Sequence, residues 1–139
     1  MNENKTNKKG EKMDRDFEIL YNRAREITGE KELNKSVSYA HVGCALMTDK
    51  GNIYTGICIV ADCAIGFCAE HAAIAEMLKN NESRIIKIVA TDKNGAVPPC
   101  GRCRELMKQV NCENLKTEIM IGDNQIFTLA ELLPHVWLP

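Results

Sequence analysis

The fold is decided by residues 68–121, which read CAEHAAIAEMLKNNESRIIKIVATDKNGAVPPCGRCRELMKQVNCENLKTEIMI. The first part, residues 68–79, is rich in helix formers and apolar on nearly every side, which predicts a buried helix. Residues 85–91 form an apolar, β-prone run and predict a strand. Residues 100–110 predict a second helix from their apolar spacing, and residues 117–121 predict a further strand. Strands that alternate with helices in this way pair in parallel through crossover helices.

The flanking segments add an antiparallel hairpin and an outer helix. Residues 42–48 and 53–60 are β-prone runs joined by a polar turn, in which Gly51 is placed for a positive φ. Residues 13–28 predict an amphipathic helix, and residues 126–133 predict a short last strand followed by a helical turn. We therefore predict an α/β fold, a three-layer α/β/α sandwich around a mixed sheet of about five strands.

Length and composition favour a single domain. The chain has 139 residues, 45% of them apolar and 27% charged, and a net charge of −1. Residues 13–139 are predicted to form one domain, and residues 1–12 a flexible tail without the apolar core of a secretory signal. No window is apolar enough for a membrane span. We expect a cytoplasmic protein that binds a small molecule and neither bulk nucleic acid nor a membrane, because this charge creates no field that attracts polyanions.

Three cysteines at helix starts are candidate metal ligands. In a reducing compartment, cysteines bind metals or are buried more often than they form disulfides. Cys100 and Cys103 lie one turn apart at the start of a predicted helix, so both sulfurs can face one point. Cys68 opens the other helix, where the helix dipole also favours a thiolate. Two helix starts that follow strands can meet along one sheet edge, where ligand crevices form.

A carboxylate, Glu70, belongs to the same region of the sequence. Residues two apart on a regular helix point to nearly opposite sides. Cys68 and Glu70 can therefore reach one cavity only if Cys68 has non-helical dihedrals at the helix boundary. A Zn²⁺ ion with three protein ligands keeps a fourth position for water, whereas four protein ligands make a structural site. Three thiolates and a carboxylate thus favour a zinc-dependent hydrolase.

Two other interpretations stay open at this point. Cys100-Gly101-Arg102-Cys103 at a helix start is also the arrangement of a thiol redox pair. Alternatively, a structural zinc ion takes a fourth ligand and leaves Glu70 without a role. The candidate fourth ligands are Cys44, Cys58, Cys63, Cys112 and His71. His41 and His135 are interpreted as structural or surface residues.

These motifs resemble the cytidine deaminase family of three-cysteine zinc enzymes, which includes the blasticidin S deaminases. The specific part of the resemblance is Cys68-Ala69-Glu70 together with Pro99-Cys100-Gly101-Arg102-Cys103-Arg104-Glu105. Weaker parts are Val42-Gly43-Cys44-Ala45-Leu46 and Glu131-Leu132-Leu133-Pro134, so the resemblance spans roughly residues 14 to 137. It implies that Cys68, Cys100 and Cys103 hold one Zn²⁺ ion and that Glu70 is the proton shuttle.

The reaction implied by the resemblance is hydrolytic deamination in pyrimidine salvage. Zinc-activated water attacks the ring carbon that bears the amine, Glu70 transfers the proton, and ammonia leaves. The expected substrate is cytidine or deoxycytidine, and the alternative is an analogue such as blasticidin S. Related enzymes often carry a thiolate-bonding arginine where this chain has His71, so Arg102 is the predicted charge partner of the thiolates. The resemblance also implies a homotetramer.

The resemblance is weakest at the predicted substrate contacts. Nucleoside-type relatives carry Asn and Glu on the second strand for the ribose hydroxyls, whereas this chain has Cys58 and Val60 there. Neither side chain makes those bonds, which weakens recognition of ribose. Trp137 lies in a segment similar to that of blasticidin S deaminases and is predicted either to close the site or to pack in a subunit interface. The predicted substrate-binding residues are Ala69, Cys58, Val60, Pro98 and Trp137.

Overall fold

The computed structural model describes residues 12–139, which form one mixed sheet with helices on both faces. The strands are β1 (Lys31–Glu32), β2 (Val37–Thr48), β3 (Ile53–Ala61), β4 (Ile85–Asp92), β5 (Gly95–Val97), β6 (Glu118–Ile121) and β7 (Gln125–Thr128). The α-helices are α1 (Arg15–Ile27), α2 (Ala69–Lys79), α3 (Gly101–Val110) and α4 (Leu129–Leu132), and 3-10 turns lie at Asp62–Ala64 and Cys112–Lys116.

The main strands follow the order β3, β2, β4, β6, β7 across the sheet, while β1 pairs with β2 and β5 pairs with β4. β2 is antiparallel to both β3 and β4, β4 is parallel to β6, and β6 is antiparallel to β7. The predicted α/β fold with a mixed sheet is therefore confirmed, and β1 and β5 are short additions that the sequence did not predict. The β4–α3–β6 unit is the predicted parallel crossover. β3 and β4 also run parallel, but β2 lies between them, so α2 connects strands that do not pair.

Alternate residues of the central strand β2 face different helical layers. Ala45 and Met47 pack with the buried side chains of α1. Cys44 and Leu46 point the other way and pack with buried side chains of α2 and α3. Because successive strand side chains point to opposite faces, one strand contributes to two cores. The three layers predicted from the sequence are thus α1, the sheet, and the pair α2 and α3.

Element boundaries follow the local signals in the sequence. α1 begins after Asp14, whose carboxylate accepts a backbone N–H at 3.0 Å, and ends before Thr28. α4 begins with a capping box between Thr128 and Glu131. The turn between β2 and β3 has Gly51 at a φ of 79°, as predicted. Local chemistry therefore accounts for where these elements start and stop.

Two expectations concern the ends of the chain and its surroundings. The predicted flexible tail, residues 1–12, lies outside the described residues except for Lys12. Its flexibility and the single-domain boundary at residue 13 stay predictions. Among residues 12–139, no helix combines the length and the apolar character that crossing a membrane requires.

Candidate active site

Three cysteine sulfurs lie together where two helices begin. Cys68 immediately precedes α2, Cys100 immediately precedes α3, and Cys103 lies in the first turn of α3. The Cys68 and Cys100 sulfurs are 3.4 Å apart, and the Cys100 and Cys103 sulfurs are 3.6 Å apart. Sulfurs bound at about 2.3 Å to one tetrahedral Zn²⁺ ion lie about 3.8 Å from one another. The observed spacing is therefore close to that of a three-thiolate zinc site.

Within residues 12–139, the group of metal-ligating side chains consists of these three cysteines, whose sulfurs all lie within 4.8 Å of one another. The candidate fourth ligands from the sequence, Cys44, Cys58, Cys63, Cys112 and His71, lie outside the group. Three ligands leave an open position on a tetrahedral ion. All the cysteines are free thiols, and a redox pair of Cys100 and Cys103 does not explain why Cys68 joins them.

The backbone of Cys68 brings its side chain and that of Glu70 to one cavity. Cys68 has extended dihedrals, with φ of −74° and ψ of 154°, whereas Glu70 lies inside the first turn of α2. Cys68 thus has the non-helical dihedrals that were expected to be necessary for its side chain and that of Glu70 to reach one cavity. Both residues line the same cavity, and the Cys103 thiol lies 3.5 Å from Glu70 Oε2.

Glu70 is an acid in an apolar setting, with only 5% of its surface exposed. Burial raises the pKa of the Glu70 carboxyl above its ordinary value, although its own backbone N–H and the Cys103 thiol act to lower it. No cationic side chain is paired with Glu70 among the ion pairs of residues 12–139. A carboxyl with a raised pKa holds a proton more readily than an ordinary one, which suits a group that both accepts and returns a proton.

The three thiols differ in how readily they ionise. Partial burial acts to raise the pKa of Cys100, yet the backbone N–H groups of Cys103 and Arg102 and the two neighbouring thiols hold it below its ordinary value. Burial raises the pKa of Cys103, and the nearby Glu70 carboxylate raises it further. Burial also raises the pKa of Cys68. A cation between the sulfurs would reverse these costs, because it favours every thiolate.

His71 contacts a sulfur of the group, whereas the side chain of Arg102 has no described bond to one. His71 Nδ1 lies 3.3 Å from Cys103 Sγ. Burial, and then the nearby Arg102 cation, lower the pKa of His71, which favours the neutral ring. Arg102 lines the cavity and acts on Cys100 through its backbone N–H. The charge-compensating role of the Arg102 side chain stays a prediction.

The cavity has a volume of about 410 Å³ and two chemically different groups of lining residues. The first is the thiol group, which comprises Cys68, Glu70 and Cys100 in the lining and Cys103 behind them. The second, here called the strand wall, comprises Val42, Cys58, Ile59, Val60 and Ala61. Four of the five predicted substrate-binding residues line the cavity, namely Cys58, Val60, Ala69 and Pro98.

Gly66 and Phe67 join the strand wall to helix α2. Phe67 and Ile59 form a β-bridge with N–H···O bonds of 3.0 Å in both directions. A Cβ atom on Gly66 would lie 2.0 Å from the carbonyl oxygen of Ile59, so only glycine allows this approach. Phe67 also lines the cavity. Neither residue was among the predicted site residues, although a glycine and an aromatic directly before Cys68 were a usable signal.

Trp137 does not reach the cavity of its own chain. Its surface is 78% exposed, and it lies outside the cavity lining. The backbone N–H of Trp137 donates to Glu105 Oε1 at 3.2 Å, and Lys108 Nζ donates to the carbonyl oxygen of Leu138. The C-terminal segment therefore lies along α3. Trp137 therefore does not line the cavity of its own chain, and both of its predicted roles, closing the site and packing in a subunit interface, stay predictions.

Comparison with known proteins gives a consistent family. Residues 19–119 match the family model described as the cytidine and deoxycytidylate deaminase zinc-binding region. A cytidine deaminase of Halalkalibacterium halodurans is 33% identical over 97 residues, which cover 67% of this chain and 74% of that protein. A blasticidin-S deaminase of Bacillus cereus is 31% identical over 129 residues, which cover 86% of this chain and 89% of that protein.

Solved structures show the same fold. The crystal structure of cytidine deaminase from Mycobacterium leprae superposes with a TM-score of 0.72 at 25% identity and covers 88% of this chain and 100% of that one. That of Mycobacterium tuberculosis cytidine deaminase gives a TM-score of 0.74 at 23% identity over 89% of this chain and 98% of that one. At the lower identity the likeness concerns the fold alone.

Proposed function

Because this chain belongs to the cytidine and deoxycytidylate deaminase zinc-binding family, we propose that it is a zinc-dependent hydrolase of a cytosine-type nucleoside. Cytidine or deoxycytidine would be converted to the uracil form with release of ammonia. The observation that carries this proposal is the meeting of three thiols and the buried Glu70 at one cavity. A structural zinc module has no use for such an acid beside its ligands.

The residues present fit a zinc ion in number, chemistry and spacing. Cys68, Cys100 and Cys103 would hold it, since thiolates are preferred zinc ligands. The Cys68 and Cys100 sulfurs lie 3.4 Å apart, and the Cys100 and Cys103 sulfurs lie 3.6 Å apart. When bound, Zn²⁺ supplies the Lewis acidity that makes water nucleophilic near neutral pH. His71, 3.3 Å from Cys103 Sγ, would donate an N–H that offsets part of the thiolate charge and orients the ligand.

Glu70 performs the proton transfers in this proposal. Its carboxylate takes a proton from the attacking water and passes it to the ring nitrogen beside the amine-bearing carbon, which makes that carbon more electrophilic. A second transfer protonates the amine, which then leaves as ammonia while the ring carbon keeps the oxygen. The raised pKa of Glu70 supports this role, because a shuttle must accept and release a proton with similar ease.

The strand wall bears on the choice of substrate. Cys58 and Val60 line the cavity and supply none of the amide or carboxylate bonds that a ribose hydroxyl needs. Each polar group buried there without a partner costs about 1–3 kcal/mol. This observation favours a second candidate substrate, a nucleoside analogue such as blasticidin S. The similarity to the Bacillus cereus blasticidin-S deaminase, over 86% of this chain, supports the same candidate.

Metal analysis and ammonia release together test the reaction. We expect about one zinc ion per chain and ammonia release from cytidine, deoxycytidine or blasticidin S. Cys68→Ser should lose both zinc and activity, whereas Cys63→Ser, which changes an exposed cysteine outside the cavity lining, should keep both. Zinc binding without ammonia release from any of the three, or a Cys100–Cys103 disulfide in the active protein, would contradict the proposal.

A paired substitution tests the strand wall. We expect Cys58→Asn combined with Val60→Glu to raise kcat/KM for cytidine relative to free cytosine by about tenfold or more, because polar partners for the hydroxyls return. Cys63→Asn is the matched control outside the cavity lining. A wild-type enzyme that already prefers cytidine by a wide margin over blasticidin S would overturn this view of the strand wall.

A homotetramer is part of the proposal. Val60, Ile65 and Phe67 are 50%, 76% and 39% exposed, which supports a second copy covering this apolar surface. Light scattering at the assay concentration should give the mass of four chains. A fully active monomer would contradict the proposed homotetramer.

A further inference from the structure

A second set of reactive side chains includes Cys58 of the strand wall. His41 Nδ1 is 4.0 Å from Cys58 Sγ, and His41 Nε2 is 3.0 Å from Glu30 Oε1. Thiol, imidazole and carboxylate in this order are a nucleophile, its base, and the group that orients the base. The contact between nucleophile and base is often longer in an unliganded site than in the reacting complex. None of these three residues belongs to the thiol group.

A backbone donor also points at the Cys58 sulfur. The N–H of Val42 donates to Cys58 Sγ at 3.4 Å. The Cys58 sulfur is therefore contacted both by the imidazole of His41 and by the backbone N–H of the next residue, Val42.

An irregularity in β2 creates both contacts. β2 pairs with β3 at Tyr39 and Ile59, and the register resumes only at Gly43 and Ile57. Three residues of β2, numbers 40–42, thus stand opposite Cys58. Bulges of this kind redirect side chains and are frequent next to active sites.

The bulge includes a strained residue. Ala40 has a φ of 63°, a conformation that costs a residue with a side chain about 1 kcal/mol or more. The N–H of Gly29 donates to the Ala40 carbonyl oxygen at 2.7 Å and so ties the bulge to the segment that carries Glu30. The strained backbone thereby holds His41 between Glu30 and Cys58.

We propose that Cys58 is a nucleophilic thiol that takes a small, uncharged carbon electrophile, such as an α-haloamide or an α,β-unsaturated carbonyl compound. Cys58 is 8% exposed, and what it exposes faces the cavity, so the electrophile must fit within about 410 Å³. With iodoacetamide, the thiol proton passes to His41 Nδ1 and the sulfur attacks the carbon that carries iodine. The carbon–iodine bond breaks, iodide leaves, and a thioether forms. The imidazolium, held by Glu30, returns its proton to water.

The test measures alkylation of each cysteine in the zinc-loaded full chain by quantitative mass spectrometry after limited exposure to iodoacetamide. We expect Cys58 to react about tenfold faster than the exposed Cys63 and Cys112, despite its burial. Cys44 is fully buried, so its labelling reports unfolding. Labelling of Cys68 or Cys100 reports missing metal. A failed zinc proposal is therefore distinguishable from a failed Cys58 proposal.

Variants identify the cause of the reactivity. His41→Asn should slow alkylation of Cys58 about tenfold and Glu30→Gln about threefold, with unchanged rates at Cys63 and Cys112. His135→Asn, at an exposed histidine, is the matched control. Glu30 is 59% exposed, so Glu30→Gln remains informative even if Cys44 labelling shows that His41→Asn unfolds. The proposal is overturned if Cys58 reacts no faster than Cys63 and Cys112, or if Glu30→Gln and a folded His41→Asn both react at the wild-type rate.

Discussion

Two buried carboxylates lie near opposite ends of helix α2 and have contrasting surroundings. Glu70, in the first turn, is 5% exposed, and Glu82, just beyond the last turn, is 6% exposed. Glu82 accepts hydrogen bonds from Thr48 Oγ1 at 2.7 Å, from Asn52 Nδ2 at 2.9 Å and from the Tyr54 hydroxyl. Glu70 has the Cys103 thiol at 3.5 Å and no comparable set of donors. The two carboxylates are therefore almost equally buried, but Glu82 accepts more hydrogen bonds than Glu70 does.

The contrast separates structure from chemistry. The Tyr54 and Thr48 hydroxyls hold the pKa of Glu82 below its ordinary value, although burial acts in the opposite direction. The hydrogen bond between Tyr54 and Glu82 also raises the pKa of Tyr54 to about 12. For Glu70, burial dominates and raises the pKa. An acid whose charge is held by several strong donors stabilises the fold, whereas an acid with few donors, such as Glu70, is available to exchange protons.

Glu70→Gln should produce the largest effect. We expect kcat to fall roughly 10²-fold or more with zinc retained, because the amide cannot carry the proton. Thermal stability should stay near that of the wild type, since Glu70 has few bonds to lose. Glu76→Gln, at a half-buried position of the same helix where the side chain pairs with Lys79, should change neither property. Substantial ammonia release by Glu70→Gln would remove Glu70 from the mechanism.

Glu82→Gln should give the opposite pattern. The melting temperature should fall by roughly 5 °C, because the amide disturbs three donors that converge on a carboxylate. kcat/KM should stay within about twofold of the wild type below the melting transition. Differential scanning calorimetry and the ammonia assay measure the two quantities. A large catalytic loss in a folded Glu82→Gln variant would break the contrast.

The fall in the free energy of unfolding at low pH should depend on Glu82. Its folded pKa is lowered below the ordinary value of 4.5, so the folded state holds the proton less tightly than the unfolded state does. The stabilisation is therefore present above pH 4.5 and is lost as the pH falls through the folded pKa. Urea unfolding from about pH 6 down to about pH 3.5 should show a steeper loss in the wild type than in Glu82→Gln. Equally steep losses in the two proteins would show that the carboxylate contributes nothing.

Thr48→Val should give the smallest of the predicted effects, a loss of stability caused by removing one hydrogen bond to Glu82. It removes one donor to Glu82 at a fully buried position, and we expect a loss of about 1–2 kcal/mol in the free energy of unfolding. Thr55→Val, on the neighbouring strand β3, is the matched control and should change stability by less than about 0.5 kcal/mol. Equal losses in denaturant titrations of the two variants would mean that β-strand packing, and not the bond to Glu82, is being measured.

The sequence predicted what local signals encode. The helix starts at Cys68 and Cys100, the hairpin turn at Gly51 and the first helix, predicted over residues 13–28 and observed over Arg15–Ile27, all depend on neighbours within one turn of chain. The approach of Cys68 and Glu70 to one cavity could be predicted for the same reason, because this approach requires only that the cap residue Cys68 has extended dihedrals.

Features that depend on distant partners were not foreseen. The two-residue strand β1 exists because it pairs with β2, and nothing in its own residues indicates a strand. Ala40 adopts a positive φ without being glycine or asparagine, so the bulge that carries His41 had no local mark. The contact between His71 and Cys103 depends on how α2 and α3 approach each other, which periodicity along either helix does not determine.

The close approach at Gly66 limits how this pocket can be re-engineered. Phe67, which forms the bridge to Ile59, is followed directly by Cys68, so no residue separates the bridge to the strand wall from the Cys68 thiol. Loop grafts that add or delete a residue between positions 61 and 68 would shift the strand wall and the thiol group together. Redesign of substrate preference is better confined to side-chain exchanges on β3, where length is conserved and the hydrolytic machinery keeps its register.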